Sequence, residues 1–244
     1  MENLLSIIIP CLNEEANVEL VLDKVTELME LRSIKCEVIV VDDQSTDSTR
    51  HKAEEWVTRN SKKYVSVLYK DLDRRGYGAV VKYGLSHAKG DYAVFVSADL
   101  VDPIELLPVM YDNLEKGYDL VQVSRYLEIE NSRSIPFSYK FFQFFYRYGV
   151  RFSLGERIMD STYSFKMFKR SKILSVGLAS NRFNISPEIM FKSVLADYKI
   201  LFIPGSQGTR AQGVSKFKFY KEGLGFGLCL IRAFLHRKRL IFWF

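Results

Sequence analysis

Short apolar runs alternate with helical patterns along the first half of the chain. Residues 5–10 and 36–41 are almost continuously apolar, as expected of strands buried on both faces, and the residues between them have helical spacing. The alternation continues to about residue 123 and predicts an α/β fold with a doubly wound, mostly parallel sheet and flanking helices. Further helices are predicted at 46–60, 78–88 and 106–114, and further strands at 64–69, 92–96 and 119–123.

The second half is less regular. A strand is predicted at 164–168, a helix at 187–196 and a strand at 199–203. The aromatic segment 137–152 has helical spacing, for which we expect core packing, with an apolar surface that receives a lipid as the alternative.

Basic residues are concentrated at the C-terminus. From Ser215 onward there are seven Lys or Arg and one Glu, so this tail alone accounts for the net charge of +6. Because Phe, Leu and Trp lie among them, the tail is typical of a segment at an anionic membrane surface, and nucleic-acid binding is not predicted. Its longest uncharged stretch, 223–231, is about half of what a bilayer crossing requires. We expect a basic, amphipathic interfacial helix, with a dimer contact as the alternative.

The cysteines and the N-terminus both indicate a cytoplasmic protein. Cys11, Cys36 and Cys229 are widely spaced and lack metal-ligand spacing, so reduced thiols are expected. The chain enters its first apolar run without a basic segment or cleavage site, unlike a signal peptide. With the tail, this predicts peripheral association with the cytoplasmic face of a membrane.

Acidic residues follow three of the predicted strands. The turn after the first strand contains Glu14 and lacks the Gly-x-Gly-x-x-Gly of dinucleotide-binding proteins, so a Rossmann dehydrogenase is not expected. Asp42 and Asp43 end the second strand, and Asp99 follows the fourth. Each turn alone is also typical of a helix cap. Their recurrence at successive strand ends indicates a ligand cleft.

Asp99 is the candidate metal ligand. Mg²⁺ and Mn²⁺ prefer oxygen ligands and often take only one or two carboxylates from the protein, with substrate phosphates and water completing the shell.

Seven short motifs follow one another along the chain. They are PCLNEE at 10–15, VDDQSTD at 41–47, RGYG at 75–78, SADLVDP at 97–103, VSRY at 123–126, MDSTYSFK at 159–166 and RAQGVSK at 210–216. In this order they resemble the motifs of family 2 glycosyltransferases, and most closely those of the dolichyl-phosphate and polyprenyl-phosphate sugar synthases. The resemblance covers about residues 5–216 and implies a GT-A fold.

The resemblance implies a site for a nucleotide diphosphate sugar, either a GDP- or a UDP-sugar. The implied donor-binding positions are Pro10, Leu12, Glu14, Val40 and Asp42. Leu12 departs from the usual Tyr. The metal motif, normally Asp-x-Asp, is Ser97, Ala98 and Asp99 here, so Asp99 is the matching carboxylate for Mg²⁺ or Mn²⁺.

The resemblance also implies the residues on the acceptor side. Arg125, Arg210 and Lys216 match positions that contact the donor diphosphate or the acceptor phosphate, which suits Arg forks and a Lys point charge. Asp160 and Glu188 are implied to face the acceptor, either as a general base or as residues that orient the phosphate-binding groups, with helix or loop capping as the alternative.

The implied reaction is an inverting, single-displacement transfer of a sugar to a polyprenyl-phosphate lipid. We expect a GT-A catalytic domain at 1–215 and a membrane-associating tail at 216–244. One alternative is transfer to a hydroxyl of a lipid-linked or cell-surface polysaccharide, which requires a general base. A second is a nucleotide-sugar-binding protein with catalysis weakened by Ser97.

Overall fold

The computed structural model describes residues 3–71, 75–128, 137–155, 158–210 and 219–244, and it has helices on both faces of a seven-stranded sheet. The strands are β1 (Leu5–Cys11), β2 (Cys36–Asp42), β3 (Val65–Tyr69), β4 (Tyr92–Phe95), β5 (Leu120–Ser124), β6 (Lys166–Lys169) and β7 (Ile200–Pro204). The helices are α1 (Val18–Leu31), α2 (Thr49–Asn60), α3 (Tyr77–His87), α4 (Leu107–Glu115), α5 (Phe137–Leu154), α6 (Arg170–Ser175), α7 (Ile185–Leu195) and α8 (Phe219–Arg237).

The sheet is mostly parallel, as predicted. Its strand order is β3-β2-β1-β4-β6-β5-β7, and β6 runs antiparallel to both of its neighbours. In the centre, Ile8 of β1 lies opposite Ile39 of β2 and Phe95 of β4. The carboxyl ends of the other six strands therefore point to one edge of the sheet.

Alternating strand residues supply two cores, one on each face of the sheet. Ile7 and Ile9 of β1 pack into a cluster with α1, α2 and α4, while Ile8 packs into a cluster with α3, α5, α7 and α8. Because successive side chains of a strand point to opposite faces, a sheet covered on both sides needs the continuous apolar runs seen in the sequence.

The aromatic residues of α5 contradict the expected core packing. Four rings project from the protein with exposed fractions between 48% and 61%: Phe141, Phe144, Phe145 and Tyr148. The buried stripe of the helix consists instead of Tyr146, Val150 and Leu154, which have the same helical spacing. Because both faces of α5 are apolar, spacing alone could not identify the buried face.

The C-terminal segment forms α8, which packs on the body of the protein. Phe226, Cys229 and Ala233 are buried in the cluster that also contains residues of α5 and α7. The predicted division after residue 215 falls within 211–218, outside the described residues, and stays a prediction. No helix in the described part of the chain is long and apolar enough to span a bilayer.

Candidate active site

A cleft of about 940 Å³ opens at the carboxyl edge of the parallel strands. The segments that follow β1, β2, β4, β5 and β7 line it, as expected for an α/β sheet. Because β6 is antiparallel, the segment that precedes it reaches the same edge. The lining includes a residue from each of these segments: Leu12, Asp43, Asp99, Arg125, Tyr163 and Arg210.

The turns after β1 and β2 hold each other in place. Asn13 adopts a left-handed conformation with φ of +50°, which Asn tolerates better than most residues. Its Oδ1 accepts a hydrogen bond from the Thr46 amide at 2.8 Å, and its own amide donates to Ser45 Oγ at 2.9 Å. The Glu14 amide donates to Thr49 Oγ1 at 2.7 Å. This bracing fixes the acidic turn at the mouth of the cleft.

Of the acids at the end of β2, it is Asp43 that lines the cleft. The Asp43 carboxylate is ion-paired with the buried Lys70 at 2.9 Å and accepts from the Gly76 amide at 3.1 Å. Asp42 is 1% exposed, and its Oδ1 has no hydrogen-bond partner among the described residues. Val40 points into the core with α1 and α2 and does not line the cleft, because strand side chains alternate between the faces.

The RGYG motif lets the start of α3 approach a neighbouring loop closely. Gly76 has a φ of +126°, and a Cβ there would lie 2.6 Å from the Asn181 carbonyl oxygen. A Cβ on Gly78 would lie 2.6 Å from the Ser180 carbonyl oxygen. Both distances are too short for any side chain, so this cleft wall requires glycine at both positions.

The turn after β4 brings Ser97, Ala98 and Asp99 to the cleft. Asp102 braces this turn, because its carboxylate accepts from the Ser97 amide at 2.7 Å and from the Tyr163 hydroxyl at 2.8 Å. Burial raises the pKa of Asp102 to about 6, although these hydrogen bonds oppose the shift. Asp102 therefore stabilises the conformation of this turn, and both of its oxygens are already hydrogen-bonded. It does not take the place of the first Asp of the metal motif, where this chain has Ser97.

Asp99 is paired with a cation from the segment after β7. Arg210 Nη2 lies 2.7 Å from Asp99 Oδ2, and Arg210 Nη1 lies 3.4 Å from Glu14 Oε1. Within the described residues, no group of three His, Cys, Asp or Glu side chains could hold a metal ion. Of the three residues of the metal motif, Ser97, Ala98 and Asp99, only Asp99 has a carboxylate, so it remains the candidate protein ligand for Mg²⁺ or Mn²⁺.

A second cation, Arg125, also lines the cleft and is held by Asp160. Arg125 Nε donates to Asp160 Oδ2 at 2.8 Å and Nη2 donates to Oδ1 at 3.1 Å, while Nη1 donates to Gln207 Oε1 at 2.9 Å. The Arg125 guanidinium also lies 4.6 Å from the centre of the Tyr163 ring. Burial lowers the pKa of Arg125, but the charge and hydrogen bonds of Asp160 outweigh it and raise the pKa.

The family model for glycosyl transferase family 2 matches residues 6–177, well over half of the chain. The chain belongs to glycosyltransferase family 2. This confirms the family that the motifs indicated.

Two similar proteins are transferases whose names include a lipid phosphate. The chain is 29% identical over 240 residues to a dolichol-phosphate mannosyltransferase from Pyrococcus furiosus, covering 98% of this chain and 64% of that protein. It is 35% identical over 124 residues to an undecaprenyl-phosphate 4-deoxy-4-formamido-L-arabinose transferase from Aeromonas hydrophila, covering 50% of this chain and 37% of that protein. The chain thus spans less than two thirds of the length of either relative.

Solved structures confirm the GT-A type of fold. Glucosyl-3-phosphoglycerate synthase from Mycobacterium tuberculosis, crystallised with Mn²⁺, UDP and its product, has a TM-score of 0.67 at 22% identity, over 96% of this chain and 80% of that one. The same protein crystallised with Mg²⁺ and UDP also has a TM-score of 0.67, at 21% identity, over 96% of this chain and 79% of that one.

Most of the family 2 positions predicted from sequence surround the cleft. Those that line it are Pro10, Leu12, Glu14, Ser97, Ala98, Asp99, Arg125 and Arg210. Asp160 is buried behind the wall, where it holds Arg125. Lys216 lies outside the described residues.

Glu188 does not line the cleft, and its contacts are those of the capping alternative. It is fully buried at the start of α7, where it accepts from the amides of Ala179 and Ser180 at 2.9 and 2.7 Å and pairs with Lys192 at 3.0 Å. Burial pushes the pKa of Glu188 up, but these hydrogen bonds and the Lys192 charge together lower it. Its contacts anchor a loop to α7.

Sequence reasoning gave no individual role to two residues around the cleft, Tyr163 and Lys166, although both lie within the MDSTYSFK motif. Lys166 is fully buried, and its Nζ donates to the Ser186 carbonyl and hydroxyl at 2.8 and 2.9 Å directly behind the cleft wall. Burial lowers the pKa of Lys166 to about 7. The available signal was its place in the MDSTYSFK motif, next to the apolar residues Met167 and Phe168.

Proposed function

We propose that this family 2 domain transfers a sugar from a nucleotide diphosphate sugar to a polyprenyl phosphate at the cytoplasmic face of a membrane. The observation that carries the proposal is the composition of the cleft: the acids Glu14 and Asp99 line it, and so do two cations, Arg210 and Arg125, that are each held by a carboxylate. The relatives named for dolichol phosphate and undecaprenyl phosphate support the acceptor class.

The donor occupies the side built from the turns after β1, β2 and β4. Pro10, Leu12 and Glu14 border the nucleotide. Asp99 provides the protein ligand for Mg²⁺ or Mn²⁺. When bound, such an ion neutralises the negative charge that develops on the leaving diphosphate. The Arg210 guanidinium stabilises the same negative charge on the diphosphate.

The acceptor phosphate binds at Arg125. Both oxygens of the Asp160 carboxylate accept hydrogen bonds from Arg125, so Asp160 orients the guanidinium and does not act as a base. A phosphate oxygen is anionic near neutral pH and attacks the anomeric carbon without losing a proton. A single in-line displacement of the diphosphate then inverts the configuration, and positioning and charge supply the catalysis.

The acids of the cleft favour a phosphate acceptor over a sugar hydroxyl. A hydroxyl needs a general base within hydrogen-bond reach. Each acid that lines the cleft within the described residues is already engaged by a cation or by hydrogen bonds: Glu14, Asp43, Asp99, Asp102 and Glu222. Transfer to a polysaccharide hydroxyl is therefore the weaker alternative.

An apolar surface on α5 and α8 supports the membrane location. The exposed rings of α5 continue to α8 through Phe152, which stacks on Phe234 with ring centres 5.6 Å apart. Leu224, Leu228 and Ile231 of α8 are 55–77% exposed. We name these apolar residues the α5–α8 surface. Exposed basic residues adjoin them in the sequence or follow them, namely Arg151, Arg232, Arg237 and Arg239. Apolar and basic groups together suit an anionic lipid surface.

Release of nucleotide diphosphate tests this function. The chain is incubated with a panel of GDP- and UDP-sugars and Mg²⁺ or Mn²⁺, with and without a short polyprenyl phosphate in detergent. We expect one donor to release its diphosphate at a rate that the lipid phosphate stimulates. Release that responds only to a hydroxyl acceptor would overturn the proposed acceptor, and donor binding without release under any condition would favour a binding protein.

A further inference from the structure

Arg210 bridges the two acidic turns of the donor side. Its guanidinium contacts the Asp99 carboxylate at 2.7 Å and the Glu14 carboxylate at 3.4 Å. The side chains are largely removed from water, with exposed fractions of 21% for Arg210, 15% for Asp99 and 7% for Glu14. An ion pair in such surroundings is screened less than one on the open surface.

This bridge places a positive charge on one oxygen of the carboxylate that a metal ion would need, and the other oxygen accepts from the Val101 amide at 3.4 Å. Asp99 Oδ2 is the oxygen nearest to Arg210, and a divalent cation cannot share it without strong repulsion from the guanidinium. Two carboxylates in the motif would leave one free, but the first position is Ser97. Asp102 offers no substitute, because both of its oxygens accept hydrogen bonds from the turn and from Tyr163.

We propose that Arg210 is a built-in counter-cation of Asp99, so that this protein binds a divalent metal ion effectively only together with the donor diphosphate. The diphosphate supplies oxygens that can receive both the metal ion and the Arg210 guanidinium, whose fork suits phosphate as well as carboxylate. When the diphosphate binds, the Arg210 guanidinium leaves the Asp99 carboxylate and contacts the diphosphate oxygens instead. The Asp99 carboxylate then becomes available to the metal ion.

The segment that carries Arg210 is tied to the same turn. The Gly208 amide donates to the Val101 carbonyl at 2.8 Å, and Gln207 accepts from Arg125 at 2.9 Å. These contacts tie the backbone two residues before Arg210 to the turn of the metal motif. The inference rests on the proposed donor site, but it concerns binding and can be measured without turnover.

Binding of Mn²⁺ provides the test. Free Mn²⁺ is titrated by electron paramagnetic resonance against the full chain, alone and with UDP or GDP. Without nucleotide, Arg210→Met should bind Mn²⁺ about tenfold tighter than the original protein, which corresponds to about 1.4 kcal/mol. Ser97→Asp should also tighten binding without nucleotide, because it adds a carboxylate ligand. The original protein should bind Mn²⁺ at least about tenfold tighter with one of the two nucleotides than without.

Arg182→Met is the matched control. Arg182 also lines the cleft, but its guanidinium pairs with Glu222 at 2.6 Å, so the variant removes the same charge without freeing Asp99. If Arg210→Met tightens Mn²⁺ binding no more than Arg182→Met does, the effect is general electrostatics and the proposal is wrong. Tightening by Arg210→Met with no response to UDP or GDP would uphold the competition at Asp99 and contradict the donor site instead.

Discussion

The pairing of Arg125 with Asp160 gives the sharpest prediction about the acceptor side. Asp160 is fully buried and the Arg125 side chain is 11% exposed, with two charge-assisted hydrogen bonds of 2.8 and 3.1 Å between them. Removal of one partner from a buried pair leaves the other charge uncompensated, at a cost of about 3–5 kcal/mol. Asp160→Asn should therefore lower the free energy of unfolding, measured in urea, by roughly this amount.

A double-mutant cycle separates the pair from its surroundings. Arg125→Met and Asp160→Asn should couple by at least about 1 kcal/mol, because each removes the same interaction. If Asp160 orients Arg125, Asp160→Asn should raise the KM for the acceptor phosphate and leave the acid limb of the pH–rate profile in place. A loss of stability below about 1 kcal/mol, additive effects, or loss of the acid limb would refute the orienting role.

Three further predictions concern packing, the membrane and buried charge. Gly78→Ala should lose about 1–3 kcal/mol of stability in thermal or urea unfolding because its Cβ meets a backbone oxygen, whereas Gly223→Ala, with open space around it in α8, should not be destabilised. Phe145→Glu should reduce sedimentation with anionic vesicles, and Leu31→Glu, an exposed apolar position on the opposite face of the sheet, should not; equal losses would contradict the α5–α8 surface. Burial lowers the pKa of Lys166 to about 7 in the folded protein, whereas an unfolded chain has the ordinary, higher lysine pKa. Protonation of Lys166 therefore favours the unfolded state. The stability of the original protein relative to Lys166→Met should rise between pH 7 and 10, by up to about 1.4 kcal/mol per pH unit, and parallel pH curves would exclude this.

The strands and the edge that carries the cleft could be predicted because burial on both faces leaves a strong signal. In runs such as residues 36–41, apolar and polar positions do not alternate as they do in a half-exposed strand, so the run indicates a strand buried on both faces. Polar residues begin where the sheet ends. The position of each turn after β1, β2 and β4 follows from that boundary. Glu14 and Asp99, which we propose lie on the donor side, were found in this way, and the structure places both on the cleft.

Side-chain direction at the strand ends could not be predicted with the same rules. Val40 lies only three residues before Asp43, yet it points into the core while Asp43 lines the cleft. The pairing of Asp160 with Arg125 joins residues 35 positions apart and depends on the antiparallel insertion of β6, which no local pattern indicates. The partners of Glu188, which are Lys192 of α7 and the amides of Ala179 and Ser180, were equally unpredictable from local sequence.

Transfer of labelled sugar to lipid tests the central claim most directly. The chain is incubated with a labelled GDP- or UDP-sugar, Mg²⁺ or Mn²⁺ and a short polyprenyl phosphate, and the label in the organic phase is counted against Asp99→Asn. We predict a lipid product from the original protein and a rate at least about 100-fold lower for Asp99→Asn. Label that stays in the aqueous phase with every donor, or equal transfer by the two proteins, would contradict the assignment of this cleft.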